Sequence, residues 1–517
     1  MSKRVDMDTA IGMIRDGDVV AVSGFMLICT PRELYVAIGE RFKATGHPRN
    51  LTIVAASGNG NSKDQGLYDM SYEGLVTRYI TGHFANNSRM VKLVTENKLE
   101  CYNYPQGVLV HIYRALAAGK PGEITRIGLN TFCDPRYEGG KLNEVTKEDL
   151  VHVVDVLGEE HLLYTVPKLN VGLIRGTTAD EMGNISIEDE IAPIDTLDLA
   201  LAVKAQGGKV IAQVKNYVAA GSLTRREVAV PGCLVDAVVV SEEPMESHRQ
   251  TPGNFYNPVL AGYYRTNDVG FAAIPLSERK VIARRAAMEL QPGALVNLGI
   301  GIPEGVAAVA SEEGIEDKIT LTVETGLIGG VPVGGNDFGA SVNAWATLPI
   351  ASQFDLYNGG NLNISCLGFA EVDQEGNINV NRIGNRIMGC GGFIDISQCT
   401  ERIVFAGTMT SGGLEVAIED GKLNIIKEGR FKKFIKKVEQ VTFNASYSRQ
   451  LGQDIYYVTE RCVFRIGDRG LVLTEVAPGI DVEKHILPNM DFEPVISPDL
   501  KLMDDRIFRE DLMGLWK

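Results

Sequence analysis

The chain carries two copies of one pattern. IGMIRDGDVVAVSGF (11–25) aligns with AAMELQPGALVNLGIGIP (286–303): a helix, a glycine turn, a strand, then glycine again. Amphipathic helical stretches follow both, TPRELYVAIGERF (30–42) and PEGVAAVASEEG (303–314). LTIVAASG (51–58) matches ITLTVETG (319–326), and LNVGLIRGTTADEMGNISI (169–187) lies without gaps on LNISCLGFAEVDQEGNINV (362–380). The same register brings KVIAQV (209–214) onto RIVFAG (402–407). Collinear matches of this kind mean two units built alike, and 517 residues are too many for one ordinary core. Strands alternating with helices imply a largely parallel sheet with helices on both faces. The DEMGN and DQEGN turns add hairpins, which make each sheet mixed. The expected fold is α/β, with two related open α/β domains whose sheets are mixed and largely parallel. They are placed at 1–260 and 271–517, joined through 246–270, where glycine, proline, asparagine and tyrosine erase any period. An insertion at about 59–140 lengthens the first copy.

The repeat isolates one residue. In ITLTVETGLIGG a strand ends on Glu324 and passes into glycine-rich backbone; the facing position of the first copy is Ala56. In open α/β sheets ligands bind at the carboxyl ends of strands, where Glu324 is predicted to stand. Two further glycine-rich strand ends fall in the same half. NLGIGIPEG (297–305) opens a helix, whose free N–H groups favour anions; MGCGGF (388–393) follows another apolar stretch. A glutamate with a reference pKa of about 4.3 is already ionised at neutral pH and can attack an activated acyl group without a general base. The oxyanion formed needs donors, and backbone stripped of side chains supplies them at roughly 3–4 kcal/mol each. By spacing alone, Glu324 as a nucleophile and Glu324 as a cap on its own turn stand level.

Other chemistries lack their motifs. G-I-G-I-P does not have G-x-G-x-x-G spacing, and neither G-x-x-x-x-G-K-[ST] nor G-x-S-x-G occurs. The histidines, His47, His83, His111, His152, His161, His248 and His485, are scattered, so a mechanism without histidine is favoured. Eight cysteines show no C-x-x-C pair or zinc spacing and read as reduced thiols. A net charge of −15 argues against nucleic acid. No apolar run reaches membrane-spanning length, and MSKRVDMDTAIG lacks an export signal, so the chain is expected to be cytoplasmic.

TVETGLIGG, the GIGIP loop, MGCGGFIDIS (388–397), LTEVAPGID (473–481) and TFCDPRYEGGKLNEVTKEDL (131–150) together resemble the class I coenzyme A transferases along essentially the whole chain. The resemblance is closest to the single-chain short-chain acyl-CoA (propionate or acetate) enzymes. It implies ping-pong exchange between an acyl-CoA and a short-chain carboxylate, with Glu324 passing through an acyl-glutamyl anhydride and a glutamyl-CoA thioester. It further implies that Gly299, Gly301, Gly391 and Gly392 line the CoA site or donate to the oxyanion, that no cofactor is tightly bound beyond the CoA thioester substrate, and that the protein is a homotetramer. An acyl-CoA hydrolase using the same anhydride and a non-catalytic acyl-CoA-binding protein are the alternatives.

Rival residues have plainer expectations. Glu475 in TEVAPG also ends a strand but has fewer bare N–H groups beside it; Glu371 is read as a solvated strand residue. Arg284 and Arg285 in ERKVIARRAAMEL, and the KKFIKK run (432–437), are expected on solvated faces, with Asp395 shaping its loop.

Overall fold

A computed structural model of the chain describes residues 2–85, 87–267 and 273–516. Parallel strands dominate two sheets. In the first half these are β1 (Val19–Val22), β2 (Leu51–Ala55), β3 (Val76–Thr81), β4 (Glu100–Asn103), β5 (Val171–Asp180), β6 (Lys209–Val218) and β7 (Ala237–Val240). Their spatial order is β4-β3-β2-β1-β5-β6-β7. In the second half, β8 (Leu295–Leu298), β9 (Thr320–Val323), β10 (Ile364–Gly368), β11 (Arg402–Ala406) and β12 (Asp454–Val458) lie in the order β9-β8-β10-β11-β12. All neighbours in both series run parallel.

The repeat is thus a repeat of connectivity: β2-β1-β5-β6-β7 and β9-β8-β10-β11-β12 follow the same path. The DEMGN and DQEGN turns close short antiparallel pairs at aligned positions, Ala179↔Ile185 and Val372↔Ile378. Strands such as β1 are buried at every residue, as parallel strands covered on both faces must be, which is why they read as unbroken apolar runs. One apolar core runs from the first sheet into the second half, taking in Val323, Phe354 and Ile394. A second, with Val281, Val296, Ile364 and Val404, covers the other side of the second sheet.

The segment 59–140 is no surface decoration. It contributes β3 and β4 to the sheet edge beside β2, then α1 (Gln106–Ala117), which packs near Phe354 of α4 (Ile350–Asn358) in the other half. Residues 246–267 of the expected linker hold one short helix, Pro244–Ser247, and otherwise turns and bends; 268–270, with 271 at the expected domain start, lie outside the described residues. No helix among the described residues is long and apolar enough to cross a membrane.

One charge expectation is corrected, and a second at one residue. On α2 (Glu278–Ala287), Arg284 is buried, donating to the carbonyls of Ile507 and Asp511 at 3.3 and 3.1 Å, while Arg285 pairs with Glu475 and Glu289. The helix is covered by the C-terminal segment, so its basic face became an anchor. KKFIKK keeps Lys432, Lys436 and Lys437 exposed as expected, while Lys433 lies 4.0 Å from the Phe369 ring centroid, where burial pulls its amine down to about 8.

Candidate active site

Glu324 sits in a three-residue turn. β9 ends at Val323 and Leu327–Ile328 returns antiparallel, leaving Glu324, Thr325 and Gly326 to make the reversal. Gly326 has φ +114°, and a Cβ there would fall 1.9 Å from the Leu348 carbonyl oxygen, so only glycine fits. Buried Thr325 donates its hydroxyl to the Gly339 carbonyl at 2.7 Å. Both contacts fix the turn while leaving the glutamate at the wall of a cavity of about 480 Å³. A turn-capping glutamate would accept backbone N–H groups; Glu324 accepts no hydrogen bond among the described residues.

Glu324, Gly299, Gly391 and Gly392 line this one cavity; Gly301 does not, its Cβ position facing open space. The glycines are not equivalent. Gly299 donates its N–H to the Cys366 carbonyl and Gly391 to the Gly82 carbonyl, both at 2.8 Å, so neither amide is free to serve an oxyanion. Gly392, at the N-cap of α5 (Phe393–Cys399), donates to no acceptor among the described residues. A Cβ on Gly392 would fall 2.4 Å from Glu324 Oε2.

Burial, and then the Asp395 charge, push Glu324 up to about 7. The expectation of a fully ionised glutamate at neutral pH is corrected by this desolvation, which works against the charged form. Asp395 does more than shape its loop. It is wholly buried on α5, accepts the Gly107 N–H at 3.1 Å and the Asn358 amide at 3.4 Å, and so caps α1 from the opposite half. Burial raises it too, to about 7, against the pull of the Gly107 bond.

The glycine loop is laced to the first half. Phe84 N–H donates to the Met388 carbonyl (3.0 Å), Gln106 N–H to the Gly391 carbonyl (2.9 Å) and Cys390 N–H to Asn103 Oδ1 (3.0 Å). This lacing brings His83, one of the histidines that read as scattered, to the cavity wall. TGH (81–83) ends β3, so the strand-end rule applied inside the supposed insertion would have found it.

The coenzyme A transferase family model matches residues 4–241. Caffeate CoA-transferase of Acetobacterium woodii is 47% identical over 520 residues, covering 100% of this chain and 99% of the relative. The chain belongs to the coenzyme A transferase family. Acetate CoA-transferase YdiF of Escherichia coli (strain K12) is 45% identical over 496 residues, 96% of this chain and 92% of that one. The acyl-CoA transferase YdiF of Escherichia coli O157:H7 has the same fold. Its apoenzyme aligns with a TM-score of 0.93 at 44% identity, over 99% of this chain and 97% of that chain. Its thioester complex with CoA aligns at 0.92 and 43% identity, over the same shares.

The protein is therefore an enzyme, a CoA-transferase, with a CoA thioester as substrate. In this CoA-transferase the rival carboxylates are occupied elsewhere. Glu475 is bonded by Arg285 at 2.8 and 3.0 Å, and although burial pushes it up, those bonds hold it below the usual range. Glu371 accepts from the Asn379 amide at 2.8 Å. Among the described residues the one other carboxylate at the cavity is Glu304, whose Oε1 is buried without a partner there.

Proposed function

We propose that the enzyme is a short-chain acyl-CoA:carboxylate CoA-transferase of the acetate/propionate type, with Glu324 as its nucleophile. The observation that carries this is a carboxylate at the cavity wall that accepts no hydrogen bond among the described residues, with the bare Gly392 backbone against it. A Glu324 oxygen attacks the thioester carbonyl carbon; the carbonyl π pair moves onto oxygen, then returns as the C–S bond breaks and CoA thiolate leaves. The thiolate attacks the glutamyl carbonyl of the resulting anhydride, freeing the acyl group as a carboxylate and leaving a glutamyl-CoA thioester. A second carboxylate reverses these steps, and no ATP is consumed because one thioester replaces another. A thioester complex with CoA in the E. coli O157:H7 relative supports a CoA thioester at the homologous site. Homotetrameric assembly, on resemblance, a cytoplasmic location, on the N-terminal sequence, and domains at 1–260 and 271–517, on the internal repeat, belong to the same proposal.

The test is incubation with acetyl-CoA alone, followed by mass spectrometry of the peptide holding Glu324. A covalent CoA adduct is expected; its absence sinks the nucleophile. Release of acetate without an adduct, and without transfer to added propionate, would instead mark a hydrolase.

The cavity also limits the acyl group. Among the described residues its lining includes Glu304 and Glu324 but no lysine or arginine, and apolar walls such as Val333, Phe338, Leu367 and Phe393 dominate. An acyl chain bearing a second carboxylate would meet like charge and no cation. Burying an unpaired charge costs several kcal/mol, so succinate is expected to be at least about 100-fold poorer than butyrate in kcat/KM as acceptor. Equal values in a direct competition assay would contradict this.

Because Glu324 titrates near 7, kcat/KM for acetyl-CoA is expected to rise with pH through about 7 and level off above it. The nucleophile is lost as pH falls and the carboxylate protonates. Asp395→Asn removes the nearby negative charge while keeping an acceptor for Gly107 N–H, so the acidic limb should move to lower pH. An unmoved limb in the pH profile would remove Asp395 from that role.

A further inference from the structure

We infer that His83 is the second hydrogen-bond donor of this site: its Nε2–H binds the acyl oxygen that becomes the oxyanion when Glu324 attacks, working beside the Gly392 N–H. The inference rests on the nucleophile proposed above, but its observations are separate.

The first is placement. Gly82 and Phe84, on either side of His83, are bonded to Gly391 and Met388 of the glycine loop. Gly389 comes so close that a Cβ on it would lie 2.6 Å from His83 Cα. A Cβ on Gly391 would lie 3.8 Å from His83 Cδ2, and the next residue, Gly392, is the one against Glu324 Oε2. Imidazole and carboxylate therefore face one short stretch of backbone from opposite halves of the chain.

The second is the ring's hydrogen bonding. Ala85 N–H donates to His83 Nδ1 at 2.9 Å, so Nδ1 is an acceptor and the ring proton resides on Nε2. Nε2 has no protein acceptor among the described residues. The other described lining side chains that carry a donor are engaged. Asn297 donates to the Tyr357 hydroxyl (3.2 Å) and Thr322 to the Val296 carbonyl (3.0 Å), and the Cys390 thiol is buried with its ionisation pushed well up. Among the described lining side chains the uncommitted N–H is that of His83; Gln106, whose Nε2 also lacks a partner, does not line the cavity.

The third is what this tautomer can do. Giving up the Nε2 proton would leave an imidazolate, and taking a second proton at Nδ1 would set it against the Ala85 N–H. Burial reinforces the neutral form, pulling the ring down to about 4. His83 therefore moves no proton: it donates a hydrogen bond as the electron pair gathers on oxygen and relaxes it when the C–S bond breaks. The same donor can orient the incoming carboxylate in the second half-reaction.

The experiment reads single-turnover formation of the Glu324–CoA adduct from acetyl-CoA in the full-length wild type, His83→Ala and His83→Gln. Loss of one oxyanion donor costs about 10²–10³ in rate, so His83→Ala is expected to form the adduct about 100-fold more slowly with acetyl-CoA affinity little changed. His83→Gln, whose amide N–H can reach the same oxygen, should recover at least about tenfold of that. His83→Ala within about threefold of wild type would overturn the inference, as would a folded His83→Gln as slow as His83→Ala; if alanine fails to fold, His83→Leu, which fills the space but has no N–H, carries the test with the same limits. No adduct in the wild type itself would overturn the Glu324 nucleophile instead, so the two failures are distinguishable.

Discussion

Replacing Glu324 by alanine is expected to lower transfer from acetyl-CoA to propionate by about 10⁴-fold or more, as loss of a covalent nucleophile does in other enzymes. The first copy of the repeat carries Ala56 where the second carries Glu324, at the end of the equivalent strand, so the backbone accommodates alanine there. Glu304 cannot take over: it lies on the stretch leading into α3 (Gly305–Glu312), packed against Gly334, not against the Gly392 backbone. Glu324→Gln keeps the shape and should be as inactive, because an amide is a poor nucleophile. It carries a stability signature as well. A carboxyl whose folded-state pKa is raised contributes stability below its unfolded value near 4.5 that is lost as pH rises through about 7. Glu324→Gln removes that loss, so its Tm relative to wild type should be higher above pH 7 than in acid. Calorimetry at both pH values with a transfer assay separates the two effects; a stable variant with wild-type turnover would exclude Glu324 from the chemistry.

What could be read in the sequence, and what could not, divides along a physical line. Parallel strands and hairpin positions were legible because burial on both faces writes parallel strands as continuous apolar runs, and the second copy repeats them; the spatial order of the strands was not. Glu324 stood out because the copies disagree at that position. His83 and Asp395 act across the two halves, and nothing in local periodicity records which strand end of one half meets which loop of the other. Asp395 occupies the N-terminus of α1, a helix starting nearly three hundred residues earlier, whose own N-cap, Pro105, has no side-chain acceptor. Arg284 and Arg285 misled for a related reason: charges on a helix predict solvent unless a distant segment, here the C-terminal one, supplies carbonyls and carboxylates to satisfy them. The ionisation of Glu324 was misjudged because a reference value takes no account of desolvation.

The glycines allow the sharpest separation of chemistry from folding, since neighbouring residues are glycine for different reasons. Gly391 has φ +51° and the nearest heavy atom to a Cβ there is 3.8 Å away. Alanine at Gly391 would fit the space but strain the backbone by about 1–2 kcal/mol, a cost in stability. Gly392 has φ −83°, which any residue adopts, yet its Cβ would lie 2.4 Å from Glu324 Oε2 and 3.1 Å from Phe354 Cζ. Alanine at Gly392 therefore cannot enter without moving the carboxylate or the ring. Displacing a nucleophile by about 1 Å can cost 10²-fold, and the same shift would disturb the approach of an oxyanion to the Gly392 N–H. Gly392→Ala is expected to lose about 10²–10³ in kcat, with Tm changed less than in Gly391→Ala. Gly391→Ala should keep most of its turnover at a temperature where it remains folded. The reverse ranking in paired assays of kcat and Tm would mean that the bare backbone at 392 serves packing alone.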